Sequence, residues 1–334
     1  MKGVGDEQAV PRYGIIGGLT LDNVITADGR CFIAKPGGNT LWSALGAALW
    51  GGSVGIVSRA GTDYPDATLT GLAMRGVDVS GITRYRAPHR LRISYQHEAN
   101  GGRRQPVPEA VLDRLPEAQR LAFVDTTIDS VARKGADPSF HDIPLHWLSA
   151  VVAWHVPLLP LATHRALVTE LAAQTMAQVT SDCPNRIELS NLVEDMRPSL
   201  AGIDVFLPST SDLDVVHPDL APVEVLDALL DAGARTIVLK CGAEGSLVAD
   251  SLGRRYRIPA FPVRVVDPTG AGDAFCGGFI VGLVTTGDPA LAAVYGAVSA
   301  SFAIETADPL DLAAVGMVAV EERARFVRRH LAHL

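Results

Sequence analysis

Cysteine is scarce in this chain of 334 residues. Its four cysteines lie far apart, at positions 31, 183, 241 and 276. No two of them form a C-x-x-C pair, so the spacing suggests neither a disulfide framework nor a zinc knuckle. The spacing therefore predicts free thiols, as expected for a protein of the reducing cytoplasm.

Long apolar runs and an excess of positive charge are also missing. The first ten residues, "MKGVGDEQAV", are polar and lack the apolar centre of a signal peptide. The most apolar later run, residues 148–162, contains two prolines and is too short to cross a bilayer. The formal charge is −8, whereas binding along a nucleic acid needs a basic footprint. We therefore expect a cytoplasmic protein with neither a membrane nor a nucleic-acid partner.

Short apolar runs alternate with segments of helical spacing along most of the chain. Runs such as "VGIVSRA" (54–60) and "TIVLK" (236–240) are apolar on both faces, as in buried parallel strands. Between such runs, residues 39–51, 163–177 and 222–233 have helical periodicity. The repeated strand–helix–strand order predicts a single α/β domain, residues 1–334, with a mainly parallel central sheet.

Two regions depart from this alternation. Residues 20–35 read as two short strands around Asp28-Gly29, and residues 82–105 read as a hairpin that turns near Asn100-Gly101-Gly102. We expect these strands to form a small β-sheet that serves as a lid. Residues 106–146 follow no clear pattern.

The stretch "VDPTGAGDAFCGGF" (266–279) is a tight glycine turn that leads into a helix. A dinucleotide-binding fingerprint would need a third glycine at position 275, which is phenylalanine. A Walker A loop would need Gly-Lys-Ser/Thr, which does not occur in the chain. The two commonest nucleotide-binding loops are thus excluded.

An anion site with a base beside it remains. The backbone N–H groups of Gly270, Ala271 and Gly272 can converge on a phosphate at the N-terminus of the helix. Asp273 follows in the first turn, where its carboxylate can deprotonate a hydroxyl that attacks a phosphoryl group. The alternative is that the glycines only shape a turn and Asp273 caps the helix.

Three further glycines, Gly277, Gly278 and Gly282, lie inside the following helix. Each costs about 1 kcal/mol relative to alanine in a helix interior. We therefore expect them to pack closely against a neighbouring element or a ligand.

The string "DPTGAGDAF" resembles the C-terminal signature of the phosphofructokinase-B type carbohydrate kinases, a ribokinase-like family. Pro268 replaces a common threonine, while Asp267, Thr269 and the residues from Gly270 to Asp273 match. The resemblance implies a three-layer α/β/α ribokinase-like fold with a β-sheet lid. It also implies a kinase that uses ATP and Mg²⁺, often with a monovalent cation such as K⁺.

The family's N-terminal signature is a double glycine before a helix, near the site of the phosphoryl acceptor. Gly37-Gly38 resembles it, with Asn39 as the nearest polar contact for a substrate. Many members carry asparagine four residues after the second glycine, where this chain has Trp42. Asp22 matches an acid that binds substrate hydroxyls. A plain loop for Gly37-Gly38 and a surface turn for Asp22 are the alternatives.

The nucleotide and metal sites follow from the same resemblance. "TIVLKCGAEGSLV" (236–248) resembles a hairpin beside the nucleotide, which assigns Lys240, Gly242 and Gly245 to cofactor binding together with Thr269. Asp267 and Thr269 would help to hold the monovalent cation.

The family's N-x-x-E motif, which organises Mg²⁺ and its waters, is replaced by Ser209-x-x-Asp212. Asp212 keeps a hard oxygen ligand, through water, with a side chain shorter by one methylene. Ser209 has a helix cap as its alternative role.

Two further substrate contacts are expected. Arginines crowd the predicted lid, and Arg92 is the best candidate to hold an acceptor that already bears a phosphate. The alternative is a charged, solvated sheet edge. His155 lies near a substrate-binding position of relatives, with a core histidine as the alternative.

Together these features predict an ATP-dependent kinase that phosphorylates a hydroxyl of a sugar or sugar derivative. A nucleoside kinase on the same scaffold and a non-catalytic sugar- or nucleotide-binding relative are the alternatives. A homodimer through the lids is expected because a separate small sheet has edges to cover.

Overall fold

The computed structural model describes residues 10–98, 103–216 and 219–334. The turn expected at Asn100-Gly101-Gly102 and the first nine residues lie outside this part of the chain. The strands are β1 (Tyr13–Ile16), β2 (Thr20–Ile25), β3 (Cys31–Gly37), β4 (Val54–Ala60), β5 (Val77–Asp78), β6 (Ile82–Arg84), β7 (Arg92–His97), β8 (Arg103–Arg104), β9 (Ala153–Val156), β10 (Gln178–Asp182), β11 (Val205–Leu207), β12 (Thr236–Lys240), β13 (Ser246–Asp250), β14 (Arg255–Ile258) and β15 (Ala332–His333).

Helices occupy most of the connections between these strands. They are α1 (Asn39–Ala48), α2 (Asp66–Ala73), α3 (Glu109–Leu112), α4 (Glu117–Arg120), α5 (Leu161–Gln174), α6 (Leu192–Leu200), α7 (Thr210–Val216), α8 (Pro222–Asp231), α9 (Ala271–Thr286), α10 (Pro289–Ala303) and α11 (Met317–Arg329). Residues 106–146, which the sequence pattern left open, contain α3, α4 and a 3₁₀ turn at Phe140–Asp142.

The central sheet is mainly parallel, as predicted. Its strands follow the order β15-β14-β13-β12-β11-β10-β9-β1-β4-β5. Pairing is parallel from β5 to β12 and antiparallel from β12 to β15. The carboxyl ends of the parallel strands therefore meet along one edge, where open α/β sheets bind their ligands.

Helices cover both faces of this sheet because its strands are apolar on both sides. Ile15 packs into a core with α1, α9 and α10, and the next residue, Ile16, packs into the opposite core with α5, α6 and α8. This alternation gives the predicted three layers, with α9 and its glycine turn in one outer layer.

The second sheet is small and separate, with the strand order β3-β2-β7-β8. The first pair turns through Gly29, which has a φ of 83°, as expected for the Asp28-Gly29 turn. Lys35 of β3 reaches across to donate a hydrogen bond to the Ala307 carbonyl, 2.5 Å away. The small separate sheet that the sequence predicts is therefore present, and its role as a lid stays a prediction.

One part of the predicted lid belongs elsewhere. Residues 82–84 were expected to start the lid hairpin, but they form β6, which pairs in parallel with β4 of the central sheet. The register joins Ser58 to Ile82, beyond the two residues of β4 that pair with β5. β6 therefore takes the part of β4 that β5 leaves open, and the second lid segment begins at Arg92.

Among the described residues, no helix combines the length and the apolar character that a membrane crossing would require.

Candidate active site

The glycine turn lies at the carboxyl edge of the sheet, where it starts α9. Gly270 has a φ of 77° and directly precedes the helix. Thr269 N–H donates to Asp267 Oδ1 (2.9 Å), and Ala271 N–H donates to the Pro268 carbonyl (3.3 Å). The turn thus binds Ala271 N–H internally, which leaves the N–H groups that follow as the better donors to an anion. The first N–H groups of a helix have no partner within the helix.

Asp273 lies in the first turn of α9, as predicted. Burial raises the pKa of its carboxyl to about 7, and the charge of Asp182 adds to this rise. A carboxyl that titrates near neutral pH is matched to general-base catalysis at that pH.

Lys240 and Asp182 form a buried ion pair next to Asp273. Lys240 Nζ donates to Asp182 Oδ2 at 2.8 Å and lies 3.5 Å from Cys276 Sγ. Burial opposes the charge on Lys240, but the negative groups around it, first among them Asp182, together outweigh burial and raise the lysine pKa. A Cβ on Gly272 would lie 3.6 Å from Nζ, so the ammonium lies beside the turn.

Sequence reasoning did not identify Asp182. The residue is the last of β10, two strands from β12 in the sheet. Its position at the carboxyl end of a parallel strand was the available signal, because such ends line ligand sites.

Asp212 is buried near the same edge and serves as a helix cap. Its Oδ2 accepts hydrogen bonds from Ser209 N–H (2.9 Å) and Ser209 Oγ (2.6 Å), just before α7. Its Oδ1 lies 3.5 Å from Arg186 Nη1. The Ser209 hydroxyl thus donates to Asp212 and does not itself cap the helix N–H groups, and a metal-bound water would have to share this carboxylate.

Hard carboxylate oxygens suit Mg²⁺, and Asp182, Asp212 and Asp273 supply them at this edge. Within the described ranges, no three His, Cys, Asp or Glu side chains stand close enough to hold an ion by themselves. The residues fit a Mg²⁺ ion that is bound mainly by phosphate oxygens and water, as is usual for this ion.

Asp22 and Gly37 meet on the small sheet, within range of the charge of Asp267 in the glycine turn, and we call the space between Asp22 and that turn the cleft. Thr20 Oγ1 donates to Asp22 Oδ1 at 2.6 Å, and a Cβ on Gly37 would lie 2.5 Å from Asp22 Oδ2. Burial raises the pKa of the Asp22 carboxyl to about 6. Gly38 has a φ of 109° and packs against the backbone of Gly18 and Leu19. The two glycines are therefore required for the close approach of β3 to β2.

Asn39 holds this turn together instead of presenting its amide to the cleft. Its Oδ1 accepts from Gly18 N–H (3.1 Å), and its Nδ2 donates to the Leu158 carbonyl (2.6 Å). Both ends of the amide are hydrogen-bonded to backbone, so the structure places Asn39 in this turn and not in the predicted substrate contact.

Arg92 is also engaged. Its guanidinium pairs with Asp63 (2.5 Å), and its Nε donates to the His89 carbonyl (3.1 Å). Arg92 thus ties β7 to the main domain, which replaces the predicted substrate contact.

Arg103 on β8 is the lid arginine that stands over the cleft. Its guanidinium carbon lies 4.0 Å from the centre of the Tyr95 ring. Burial raises the pKa of both Asp22 and Asp273, and the positive charge of Arg103 opposes the rise in each. The charge of Arg103 therefore acts on both carboxyls.

His155 lies in the core, without exposed surface. Its Nδ1 is 3.0 Å from Thr180 Oγ1, and burial lowers its pKa to about 3. A side chain enclosed by the sheet does not reach a substrate, so the core alternative replaces the predicted contact.

The hairpin from β12 to β13 borders the turn. Gly242 has a φ of 56° and has no heavy atom within 4 Å of the place that a Cβ would take. Gly245 has a φ of 90°, and a Cβ there would lie 2.0 Å from the Ile258 carbonyl oxygen. Gly242 is therefore open to a ligand, whereas Gly245 is required by the packing of the hairpin itself.

Asp267 faces the lid. His97 Nε2 of β7 lies 3.7 Å from Asp267 Oδ1, the oxygen that also accepts from Thr269 N–H. The carboxylate of Asp267 and the hydroxyl of Thr269 provide oxygen ligands of the type that a monovalent cation requires, so these residues fit the expected ion.

The architecture is that of ribokinase-like proteins. A putative ribokinase II from E. coli, solved with ATP and Mg²⁺, has a TM-score of 0.69 with 19% identity, over 96% of this chain and 100% of that one. Ribokinase of Arabidopsis thaliana, complexed with ribose and ATP, has a TM-score of 0.70 with 15% identity, over 95% and 99%.

Sequence comparison identifies the family. Residues 141–311 match the pfkB family of carbohydrate kinases. The cytidine kinase of Thermococcus kodakarensis is 26% identical over 271 residues, 80% of this chain and 87% of the relative. The fructokinase of Klebsiella pneumoniae is 26% identical over 296 residues, 82% and 85%. The chain belongs to the pfkB family and is a carbohydrate kinase of that family.

Proposed function

We propose that this kinase transfers the γ-phosphoryl group of ATP to a hydroxyl of a sugar or sugar derivative, with Asp273 as the general base. The observation that carries the proposal is a carboxyl of near-neutral pKa in the first turn of α9, beside free helix N–H groups. Such an arrangement suits a hydroxyl that must lose its proton while it attacks a phosphoryl group.

In this mechanism the acceptor lies between Asp22 and Asp273. Asp22 orients the acceptor through neighbouring hydroxyls, because an ionised carboxylate only accepts hydrogen bonds. Asp273 takes the proton of the attacking hydroxyl as the new oxygen–phosphorus bond forms. The bond between the γ-phosphorus and the bridging oxygen breaks, and ADP leaves.

The protein stabilises the phosphoryl group in transit by fixed donors. The N–H groups of Gly272 and Asp273 point out of the helix N-terminus, where the dipole favours negative charge. Mg²⁺, when bound, neutralises phosphate charge, and Asp212 would hold one of its waters. The backbone at Gly242 is open to the nucleotide.

The same site supports a second acceptor class, nucleosides. The similarity to a cytidine kinase extends over 80% of this chain, and an aminoimidazole riboside kinase of Salmonella enterica shares the fold with a TM-score of 0.68. The positive charge of Arg103 at the cleft also favours an acceptor that carries an anionic group, such as a phosphate or a carboxylate.

We also assign the protein to the cytoplasm, where ATP is available and its four free cysteines stay reduced.

The test is phosphoryl transfer from ATP, with Mg²⁺ and K⁺, to a panel of sugars, sugar phosphates, sugar acids and nucleosides. We expect transfer to one class and a loss of turnover by about 10² to 10⁴ in Asp273→Asn. Asp231→Asn, the same change at an exposed carboxylate at the end of α8, is the control and should retain full turnover. Near-normal turnover of Asp273→Asn would exclude it as the base. Tight ATP binding without transfer to any acceptor would favour a non-catalytic binding protein.

A further inference from the structure

The indole ring of Trp42 lies flat on the glycine turn. Trp42 is in the first turn of α1 and is only 4% exposed. A Cβ on Gly270 would lie 2.2 to 2.4 Å from three carbons of its five-membered ring, Cγ, Cδ1 and Cδ2. The part of the indole that carries the N–H group therefore packs against the residue that precedes α9.

The N–H group of Trp42 differs from those of the other tryptophans. Trp50 Nε1 donates to Ser299 Oγ at 2.9 Å, and the Nε1 atoms of Trp147 and Trp154 are sealed in the interior. Trp42 Nε1 has no hydrogen-bond partner among the described residues, and it does not belong to the sealed atoms. The polar edge of this nearly buried side chain therefore keeps some accessible surface beside the glycine turn.

The location of this edge indicates the kind of ligand that it meets. α1 begins at Gly37-Gly38, on the acceptor side, whereas Gly270 begins the anion site at α9. An indole N–H can only donate a hydrogen bond, so its partner must be an acceptor. Next to a helix N-terminus, that partner is best an anionic oxygen.

We propose that Trp42 is a further catalytic residue, whose indole N–H donates a hydrogen bond to an oxygen of the phosphoryl group in transfer. This role rests on the proposed kinase function. Negative charge is spread over three phosphoryl oxygens during transfer, and a donor held rigidly by packing needs no reorganisation to meet it. The close contact with Gly270 supplies that rigidity.

The decisive variant is Trp42→Phe, which keeps an aromatic ring on Gly270 but removes the N–H. We expect kcat to fall about ten- to a hundredfold, with the KM of the acceptor changed less than about threefold. Calorimetry should give weaker binding of the non-hydrolysable ATP analogue AMP-PNP with Mg²⁺ and unchanged binding of MgADP. Trp50→Phe, which removes an indole N–H bonded to Ser299 outside the cleft, is the matched control and should leave all three quantities unchanged.

The outcomes separate the role of Trp42 from that of the whole site. Wild-type kcat in Trp42→Phe, or equal losses of AMP-PNP and MgADP binding, would overturn the catalytic role and leave a packing role. A wild-type protein that binds neither nucleotide would overturn the kinase function, and this proposal with it.

A measurement on the unaltered protein covers the case in which Trp42→Phe does not fold. The four tryptophans of ¹⁵N-labelled wild-type protein give four indole N–H signals in an NMR spectrum. The Trp42 signal should be the one that exchanges readily with solvent, because its N–H is neither hydrogen-bonded within the described residues nor sealed. We expect this signal to shift with Mg²⁺ and AMP-PNP and to shift much less with MgADP. If no signal distinguishes the two nucleotides, the hydrogen bond to the γ-phosphoryl group does not form.

Discussion

The Asp273 carboxyl combines two requirements that oppose each other. To accept a proton it must be ionised, yet burial and the nearby Asp182 disfavour its ionised form. The same burial that brings its pKa to about 7 makes the charged group a cost to the folded state. Activity and stability therefore depend on this residue in opposite directions, as is common for catalytic groups.

The pH dependence of stability tests this conflict. The carboxyl titrates near 3.8 when unfolded and at about 7 when folded, so between these values the folded chain holds the proton more tightly. The contribution of this carboxyl to stability therefore falls as the pH rises through this window. Asp273→Asn removes the effect, and we expect it to melt at least about 2 °C above the wild type at pH 8, with the difference lost by pH 4. Equal melting temperatures of the two proteins at pH 8 would show that the ionised Asp273 carboxylate does not destabilise the folded state.

The success of sequence reasoning at this scale depended on sequence distance. The turn from Asp267 to Asp273 is contiguous, so the residues of the proposed anion site and base could be named together from the sequence, and the structure places them together at the start of α9. Asp182, by contrast, is brought to the site only by strand order. Asn39 was misassigned because its partners, Gly18 and Leu158, are 21 and 119 residues away. Whether a side chain is free to bind a ligand or is already hydrogen-bonded depends on the whole fold, which a short sequence motif does not specify.

At the scale of elements, the helix glycines explain how the two halves of the cleft are joined. Gly277 of α9 faces the Ser43 carbonyl of α1, and Gly46 of α1 faces the Ala274 carbonyl of α9. The neighbours of Gly278 and Gly282 belong to α10. The expectation of close packing from these glycines is confirmed, and the contacts are with helices. This crossing of α1 and α9 holds the Gly37-Gly38 turn, which precedes α1, close to the glycine turn that begins α9.

Gly277→Ala tests the crossing. A Cβ there would lie 1.8 Å from the Ser43 carbonyl oxygen, which is backbone and cannot rotate away. We expect the free energy of unfolding, measured by urea titration, to fall by at least about 1 to 3 kcal/mol. Gly316→Ala is the control, because nothing lies within 4 Å of its added carbon, and its stability should change little. Equal stability of the two variants would mean that the helices do not approach this closely.

Element boundaries were predicted where local pattern decides them. The continuous apolar runs correspond to β4, β9 and β12, because a strand that is covered on both faces needs apolar side chains on both of them. The residues of β6 carry no such pattern: half-buried Ile82 is followed by exposed Thr83 and Arg84. Their position beside β4 depends on β5 being short, and no residue of β6 determines the length of β5.

At the scale of the whole molecule, the cleft lies between the central sheet and the small sheet. Arg103 and His97 reach the site from the lid, while Asp273 and Lys240 belong to the main layers. The small sheet is held to the main domain by apolar packing, since Leu21 of β2 belongs to the core with α1 and α9, and by polar contacts, among them Arg92 with Asp63 and Lys35 with the Ala307 carbonyl. β2 is buried along its whole length, whereas β3 is partly exposed.

The exposed edge at β3 leads to the prediction of a homodimer through the lids. β3 is an edge strand, and its Phe32 and Ile33 are 42% and 41% exposed. Apolar side chains on an open edge favour pairing with another chain. We expect light scattering after gel filtration to give a dimer for the wild type and a monomer for the double variant Phe32→Lys/Ile33→Lys. Val318→Lys, at an exposed apolar position on α11, should remain dimeric. A wild type that is monomeric at micromolar concentration would contradict the prediction, and a dimer that persists in the double variant would assign the interface to another surface.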